Sequence, residues 1–296
     1  MSDPAFGVAP RGFRLPASAG VGRATLRVAD LERSLAFYRD IAGYRVIQRS
    51  AGASASAQLG ANGSEEILLE LREQRGLRPV PRRGLIGLYH FALLLPDRPS
   101  LGRFLRHITA AGVTAGAADH LVSEALYLTD PDGLVMEVYR DRPRDEWRVS
   151  HRELVMASDP LDREGLVEAG GAEPWAGLPR GSTIGHMHFY VEELRAAEAF
   201  YHAALGFDKV VWSYPGALFL SAGGYHHHVG TNTWAAGAPL ASPNDAGLDS
   251  WELVLPDPES VRDVMHSLEG AGFTTRAIDR GIAAADPWGS VVHVTA

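Results

Sequence analysis

Leu26-Arg27-Val28-Ala29-Asp30-Leu31-Glu32-Arg33-Ser34-Leu35-Ala36-Phe37-Tyr38 and Phe189-Tyr190-Val191-Glu192-Glu193-Leu194-Arg195-Ala196-Ala197-Glu198-Ala199-Phe200-Tyr201 are two copies of one pattern. At an offset of 163 residues, Val28 meets Val191, Leu31 meets Leu194, Phe37-Tyr38 meets Phe200-Tyr201, and Gly43-Tyr44 meets Gly206-Phe207. Further along, Leu95-Pro96-Asp97 matches Leu255-Pro256-Asp257 and Ala111-Gly112 matches Ala271-Gly272, both at an offset of 160. Asp130-Pro131-Asp132-Gly133 matches Asp286-Pro287-Trp288-Gly289 at 156. Self-similarity on this scale means a duplicated chain.

Each half divides again, giving modules at 21–74, 86–140, 182–234 and 247–296. A short apolar strand opens each one, as in Thr183 to Val191, and a helix follows. In the third module Leu194, Ala197, Phe200, Tyr201 and Leu205 fall on one helical face. Gly43, Gly112, Gly206 and Gly272 stop the four helices, as left-handed C′ residues do. Two or three strands close the module, separated by turn clusters such as Ala222-Gly223-Gly224. The reading is βαβββ, four times, in two domains at 21–140 and 182–296. Residues 1–20 read as a loose N-terminal tail. Residues 141–181, broken by Pro143, Pro160, Pro174 and Pro179, read as a linker with one short helix from Asp162 to Ala169.

Composition narrows the classes of function. Of 296 residues, 46% are hydrophobic and 22% charged, enough apolar chain to bury a core. A net charge of −8 offers no electrostatic footprint for nucleic acid. The chain has no cysteine, which excludes disulfides, thiolate nucleophiles and sulfur-ligated metals. Any metal must be held by nitrogen and oxygen. Apolar runs such as Phe91 to Leu95 fall far short of the roughly 20 residues that span a bilayer. Pro and Gly stand where a signal peptide would carry its apolar stretch, so a cytoplasmic location is expected.

Four βαβββ units, with Phe-Tyr in the helix and Asp-Pro-x-Gly before the last strand, resemble the vicinal oxygen chelate superfamily, which includes glyoxalases, bleomycin-resistance proteins and extradiol dioxygenases. Within it, Gly87-Leu88-Tyr89-His90-Phe91-Ala92-Leu93-Leu94-Leu95-Pro96 is similar to the four-module bacterial catechol 2,3-dioxygenases. So are Ser123-Glu124-Ala125-Leu126-Tyr127-Leu128, Tyr139-Arg140-Asp141-Arg142-Pro143 and Gly223-Gly224-Tyr225-His226-His227-His228. The resemblance spans residues 20–296. It implies an α+β chain whose four modules form two half-open eight-stranded barrels, the vicinal oxygen chelate fold.

In that superfamily two modules pair, and metal ligands come from the first and last strand of each. The first-strand positions here are Arg23, His90, His186 and Ser250; the last-strand positions are Glu70, Glu137, Thr231 and His293. Sequential pairing would give Arg23, Glu70, His90 and Glu137 in one barrel and His186, Thr231, Ser250 and His293 in the other. Neither is a good iron site. Pairing module 2 with module 3 collects His90, Glu137 and His186, two imidazoles and a carboxylate that leave open positions on Fe(II), with Mn(II) equally acceptable. We therefore expect modules 2 and 3 to pair, and modules 1 and 4. His188 shares a face with His186 and is an alternative ligand or a pocket residue beside Thr231.

The resemblance further implies His227 as an acid–base group and Tyr127, ten residues before Glu137, as a substrate-facing hydroxyl, with His120 as a third polar lining group. His226 and His228 are expected to point away from His227, at the surface or in a supporting position behind the site. Glu124 reads as a surface or turn residue, and His293 as structural. The Phe-Tyr pairs read as core and the Asp-Pro-x-Gly segments as turns. The implied reaction is extradiol cleavage of catechol or a substituted catechol by O₂, giving a 2-hydroxymuconic semialdehyde. The expected partners are a small aromatic diol and O₂, without nucleic acid or membrane; a homodimer stays open. Two alternatives also stay open. One is a glyoxalase-like divalent-metal isomerase or lyase, which would use Glu70 if modules 1 and 2 paired. The other is a metal-free drug-sequestering protein.

Overall fold

The computed structural model describes residues 6–52 and 54–296. The chain forms two eight-stranded mixed sheets. The first runs, in spatial order, Asp208–Val211, Ala217–Ser221, Val229–Asn232, Thr183–Tyr190, Gly87–Leu94, Val135–Asp141, Ser123–Thr129 and Gly116–Asp119. It is made of modules 3 and 2. The second runs Thr275–Ile278, Gly281–Ala285, Val291–Thr295, Gly247–Val254, Gly20–Val28, Leu69–Glu73, Ser56–Gly60 and Arg45–Ser50, which is modules 4 and 1. The inner pairing expected from the ligand count is the pairing adopted. Each half contributes one module to each sheet.

The geometry follows from strand alternation. The first strands of modules 2 and 3 meet antiparallel at the centre of their sheet, and each pairs in parallel with the last strand of its own module. Phe91, Leu93, Met187 and Phe189 face the core, which fills the space between the sheets and under the helices. His90, Ala92, His186 and His188 take the other face, as period-2 alternation requires.

Two bulges modify that alternation. Ile184 pairs with Leu93 and His186 with Ala92, so Gly185 is the extra residue that turns Ile184 inward and His186 outward. A Cβ at Gly185 would stand 1.8 Å from the Tyr139 hydroxyl, so only glycine fits this bulge. On the opposing strand His90 pairs with His188 and Leu88 with Phe189, leaving Tyr89 as the extra residue.

The Phe-Tyr helices are wider than the 3.6 spacing predicts. Leu31–Leu35 runs into a π-helix, Ala36–Ile41, and Leu194–Ala197 into another, Glu198–Ala204. Phe37 and Tyr38 pack edge to face at 5.1 Å, Phe200 and Tyr201 at 4.9 Å. Both tyrosines are buried in the core, and their hydroxyls reach the Asp-Pro-x-Gly turns of the neighbouring modules. Tyr38 donates to Asp130 Oδ2 and Tyr201 to Asp286 Oδ2, each at 2.9 Å. The other oxygen of each aspartate accepts backbone N–H groups within its turn. Burial pushes Asp130 up to about 6, so the Tyr38 hydroxyl matters to a carboxyl that water cannot solvate. Tyr38→Phe is expected to cost about 1–3 kcal/mol, the range for a buried acceptor left short of a partner. Urea titration of the two proteins would measure it.

Two expectations about the connecting chain are corrected. The described part of the N-terminal segment is docked rather than loose, with residues 1–5 of the expected tail lying outside the described residues. Val8 bridges to Lys209, the Arg14 guanidinium pairs with Asp208 at 2.8 Å, and Leu15 is buried. The segment 141–181 is also structured. It holds a small hairpin, Val149–Ser150 with Glu153–Leu154, beside the expected short helix, which runs Arg163–Ala169 with Asp162 as its cap. That helix sits on Gly102 of the helix Arg98–Ala110, where a Cβ would stand 2.0 Å from the Leu166 carbonyl. No helix among the described residues is long and apolar enough to cross a membrane.

Candidate active site

The concave face of the sheet formed by modules 2 and 3 holds an open cavity lined by aromatic and histidine side chains. His90, Glu137 and His186 converge at its floor. Glu137 is in register with Ala92 and so lies on the face that carries His90. His186 Nε2 is 3.2 Å and His90 Nε2 3.0 Å from the same oxygen, Glu137 Oε2. All three side chains are buried.

The electrostatics of this cluster suit a cation. Burial alone would raise the Glu137 carboxyl, but the His186 and His90 imidazoles beside it hold it well below the usual range, so it is ionised. Burial pushes His186 down to about 4, leaving it neutral. The result is a buried anion beside the uncharged imidazole of His186. Both ring nitrogens of His90, and Nδ1 of His186, are buried without a hydrogen-bond partner among the described residues. His90 Nε2 lies at contact distance from Glu137, but the angle is not that of a hydrogen bond. Orphaned imidazole nitrogens around a buried carboxylate fit a divalent metal held by nitrogen and oxygen.

His188 has different work. Asn232 Oδ1 accepts the Trp234 N–H at 3.0 Å, which turns its amide nitrogen toward His188 Nε2 at 2.9 Å. That nitrogen is an acceptor already engaged, so His188 is a wall of the cavity rather than part of the triad. Gly230 makes room for it, because a Cβ there would stand 2.8 Å from His188 Nδ1.

Thr231 is in register with Phe189, on the core side of the sheet, with its hydroxyl 3.5 Å from the Leu218 carbonyl. It does not line the cavity. Thr231 follows His227 by four residues, but the strand starts only at Val229, so the two do not share a face. A slip of one residue exchanges faces, and Asn232 is the side chain that reaches the cavity-side histidine.

Tyr127 lies directly across from Glu137. Its hydroxyl is 2.7 Å from His120 Nε2, and His120 Nδ1 is 2.6 Å from the Ala157 carbonyl. A carbonyl only accepts, so a neutral His120 carries its proton on Nδ1 and receives the Tyr127 hydroxyl proton at Nε2. His227 lines the cavity with its ring 4.1 Å from that of His186, centroid to centroid.

The expectation that His226 turns away is corrected. His226 is buried, with Nδ1 2.7 Å from His227 Nδ1 and Nε2 2.9 Å from Asp141 Oδ1. His228 does point elsewhere, accepting the Ala222 N–H at 3.1 Å. Glu124 is likewise buried rather than at the surface, paired with Arg98 at 2.9 Å and Arg140 at 2.5 Å.

Sequence reasoning missed the walls. Tyr89, Tyr214, Phe219 and Trp234 make the cavity aromatic, and Met156, Ala157 and Ser158 reach it from the linker. A bulge that turns Tyr89 and His90 into one cavity has no sequence signal in strict alternation. The outer sheet has no comparable site at the matching positions. Arg23 lies between Glu70 at 3.2 Å and Glu252 at 2.7 Å, and Arg72 bridges Glu70 and Asp249. Glu70 is therefore out of reach of His90, which removes the ligand set that the isomerase alternative required.

Comparison with known proteins agrees with this architecture. The model of the Glyoxalase/Bleomycin resistance protein/Dioxygenase superfamily matches residues 20–138. Catechol-2,3-dioxygenase of Bacillus subtilis (strain 168) is 43% identical over 271 residues, covering 90% of this chain and 93% of that protein. Among solved structures, a protein of Bacillus subtilis subsp. subtilis str. 168 provisionally described as a dioxygenase superposes with a TM-score of 0.66 at 13% identity, covering 95% of this chain and 86% of that one. Glyoxalase I from Zea mays does so with a TM-score of 0.58 at 17% identity, covering 94% and 92%. The two solved structures share the fold alone at such identities. With the 43% identical relative aligned along most of both chains, the protein belongs to the glyoxalase/bleomycin resistance protein/dioxygenase superfamily.

Proposed function

We propose that this protein is a non-haem Fe(II) extradiol dioxygenase that opens the ring of catechol or a substituted catechol with O₂, giving a 2-hydroxymuconic semialdehyde. The observation that carries the reading is the convergence of His90, His186 and Glu137 on one buried point, with His227 and Tyr127 around the same cavity. The 43% identical catechol-2,3-dioxygenase supports the same class.

In this reading His90, His186 and Glu137 hold the metal, Fe(II) or alternatively Mn(II). When bound, the metal would supply a cationic centre, net +1 with these ligands, that favours a deprotonated diol and brings it together with O₂. The rest is the work of the chain. Phe219, Tyr89 and Trp234 pack against the aromatic ring and keep bulk water from it. Buried among other imidazoles, His227 is pushed well below the usual histidine range and stays neutral, as a group that must accept a proton should be. It takes the proton of a diol hydroxyl and returns it later in the cycle. Tyr127, its hydroxyl proton committed to His120, offers a lone pair to the substrate and holds it in register with His227.

Anaerobic loading with Fe(II), then catechol in air, should give a yellow ring-cleavage product followed by absorbance. His227→Ala should keep its metal and lose turnover by about 10²–10⁴-fold, the contribution of a general base. One tightly bound metal without any product would refute ring cleavage, and a chain that takes up no metal would refute the centre itself.

A further inference from the structure

Behind His227 lies a chain of buried polar groups that the reaction as written does not use. Tyr139 Oη is 2.7 Å from Tyr225 Oη, and Tyr225 donates to Asp141 Oδ1 at 3.1 Å. The same carboxylate oxygen is 2.9 Å from His226 Nε2, and His226 Nδ1 is 2.7 Å from His227 Nδ1. His226 is fully buried, while the Asp141 side chain keeps 28% of its exposure. Three elements meet here: the end of the strand Val135–Asp141, the turn ahead of Val229–Asn232, and Tyr139 seated against the Gly185 bulge.

The bonds of this chain can be ordered outward from the carboxylate. Asp141 Oδ1 is the acceptor here, so His226 Nε2 carries the hydrogen of that bond. With a single N–H on its ring, His226 has Nδ1 bare and accepting. His227 Nδ1 is then the donor, and its remaining nitrogen, Nε2, is the bare one left for the cavity that His227 lines. We propose that Asp141 and His226 are positioning residues that lock His227 in the Nδ1–H tautomer, so that its unprotonated Nε2 meets the substrate. Without them the two tautomers of His227 differ little in energy, and the Nε2–H form presents a hydrogen where the reaction needs a lone pair. The arrangement extends the familiar carboxylate–histidine pair by one imidazole, which lets a carboxylate at the end of its strand orient the buried base.

This inference rests on the dioxygenase reading only in naming His227 the base. The test uses the full-length chain. Two-bond proton–nitrogen correlation spectra of the metal-free protein, with histidine rings labelled, should show His227 as Nδ1–H in the wild type and as a mixture in Asp141→Asn. In the Fe(II)-loaded protein, Asp141→Asn should lower kcat for catechol on the order of 100-fold, the lower end of general-base catalysis, with KM and metal content unchanged. The same substitution in a His227→Ala background should lower it no further. His226→Leu should behave like Asp141→Asn, and His226→Gln, whose amide both donates and accepts, should recover part of the loss. A wild-type His227 found as Nε2–H would overturn the proposal. So would an Asp141→Asn effect of equal size with and without His227. Wild-type turnover in His227→Ala would instead remove the base assignment, with the spectra still deciding the tautomer.

Discussion

Replacing His90, His186 or Glu137 singly by alanine is expected to abolish both metal uptake and ring cleavage. Each contributes one of the three atoms that lie within 4.8 Å of one another, so no spare donor takes over. His188 is the nearest candidate, and its Nε2 is occupied by Asn232. The loss should therefore exceed the roughly 10–100-fold that follows when only an outer partner of a ligand is removed. Metal content after anaerobic Fe(II) loading and dialysis, read beside turnover, is the measurement. The contrast is Glu70→Ala, which breaks ion pairs in the other sheet and should leave metal content at the wild-type value. Loss of metal in Glu70→Ala with retention in His186→Ala would reverse the assignment.

Acid should unfold the metal-free protein over an unusually high pH window. Burial pushes His186 down to about 4, and His188 and His227 well below the usual histidine value. In the unfolded chain the same rings titrate near 6.5. Between those values the unfolded state binds protons that the folded state refuses, so stability is complete above about pH 6.5 and drains away as the pH falls toward 4. Each such histidine contributes a slope of about 1.4 kcal/mol per pH unit, so three give on the order of 4. Urea midpoints should be flat from pH 8 to 7 and fall steeply below 6.5. Bound metal requires neutral imidazoles, so the loaded protein should hold to lower pH. A flat profile from pH 7 to 5 in the metal-free protein would mean that these rings take up protons in the folded chain as they do in the unfolded one.

Much of this was legible in the sequence because duplication repeats the signal. The four strand–helix starts, the glycines after the helices and the two Asp-Pro-x-Gly turns are local features, each with its own stereochemical cause. The inner pairing was legible for a chemical reason: against sequential pairing, joining modules 2 and 3 collects two imidazoles and a carboxylate. Three things were not legible. Strict alternation hides the bulges at Gly185 and Tyr89, which decide what faces the cavity. The register of Thr231 depends on where a strand begins, and no residue type marks that point. His226 was turned away from His227 by strict alternation, and Glu124 was assigned by the default that polar residues away from a site face water. Their burial is set by partners distant in sequence, Asp141 for one and Arg98 and Arg140 for the other.

The outer sheet has a consequence for how the chain comes to be folded. Its central contact joins Gly20–Val28, near the start, to Gly247–Val254, near the end, with Gly20 opposite Val254. The inner sheet closes over a much shorter loop, from Gly87–Leu94 to Thr183–Tyr190. During synthesis the inner sheet can assemble while the strand Gly20–Val28 still has an open edge and no neighbour on that side. Long-range pairing of this kind is slow, and an unpaired strand edge invites association with other chains. The first module is thus the last to be completed, and the interval before residue 254 emerges is when this protein most needs protection from its own copies.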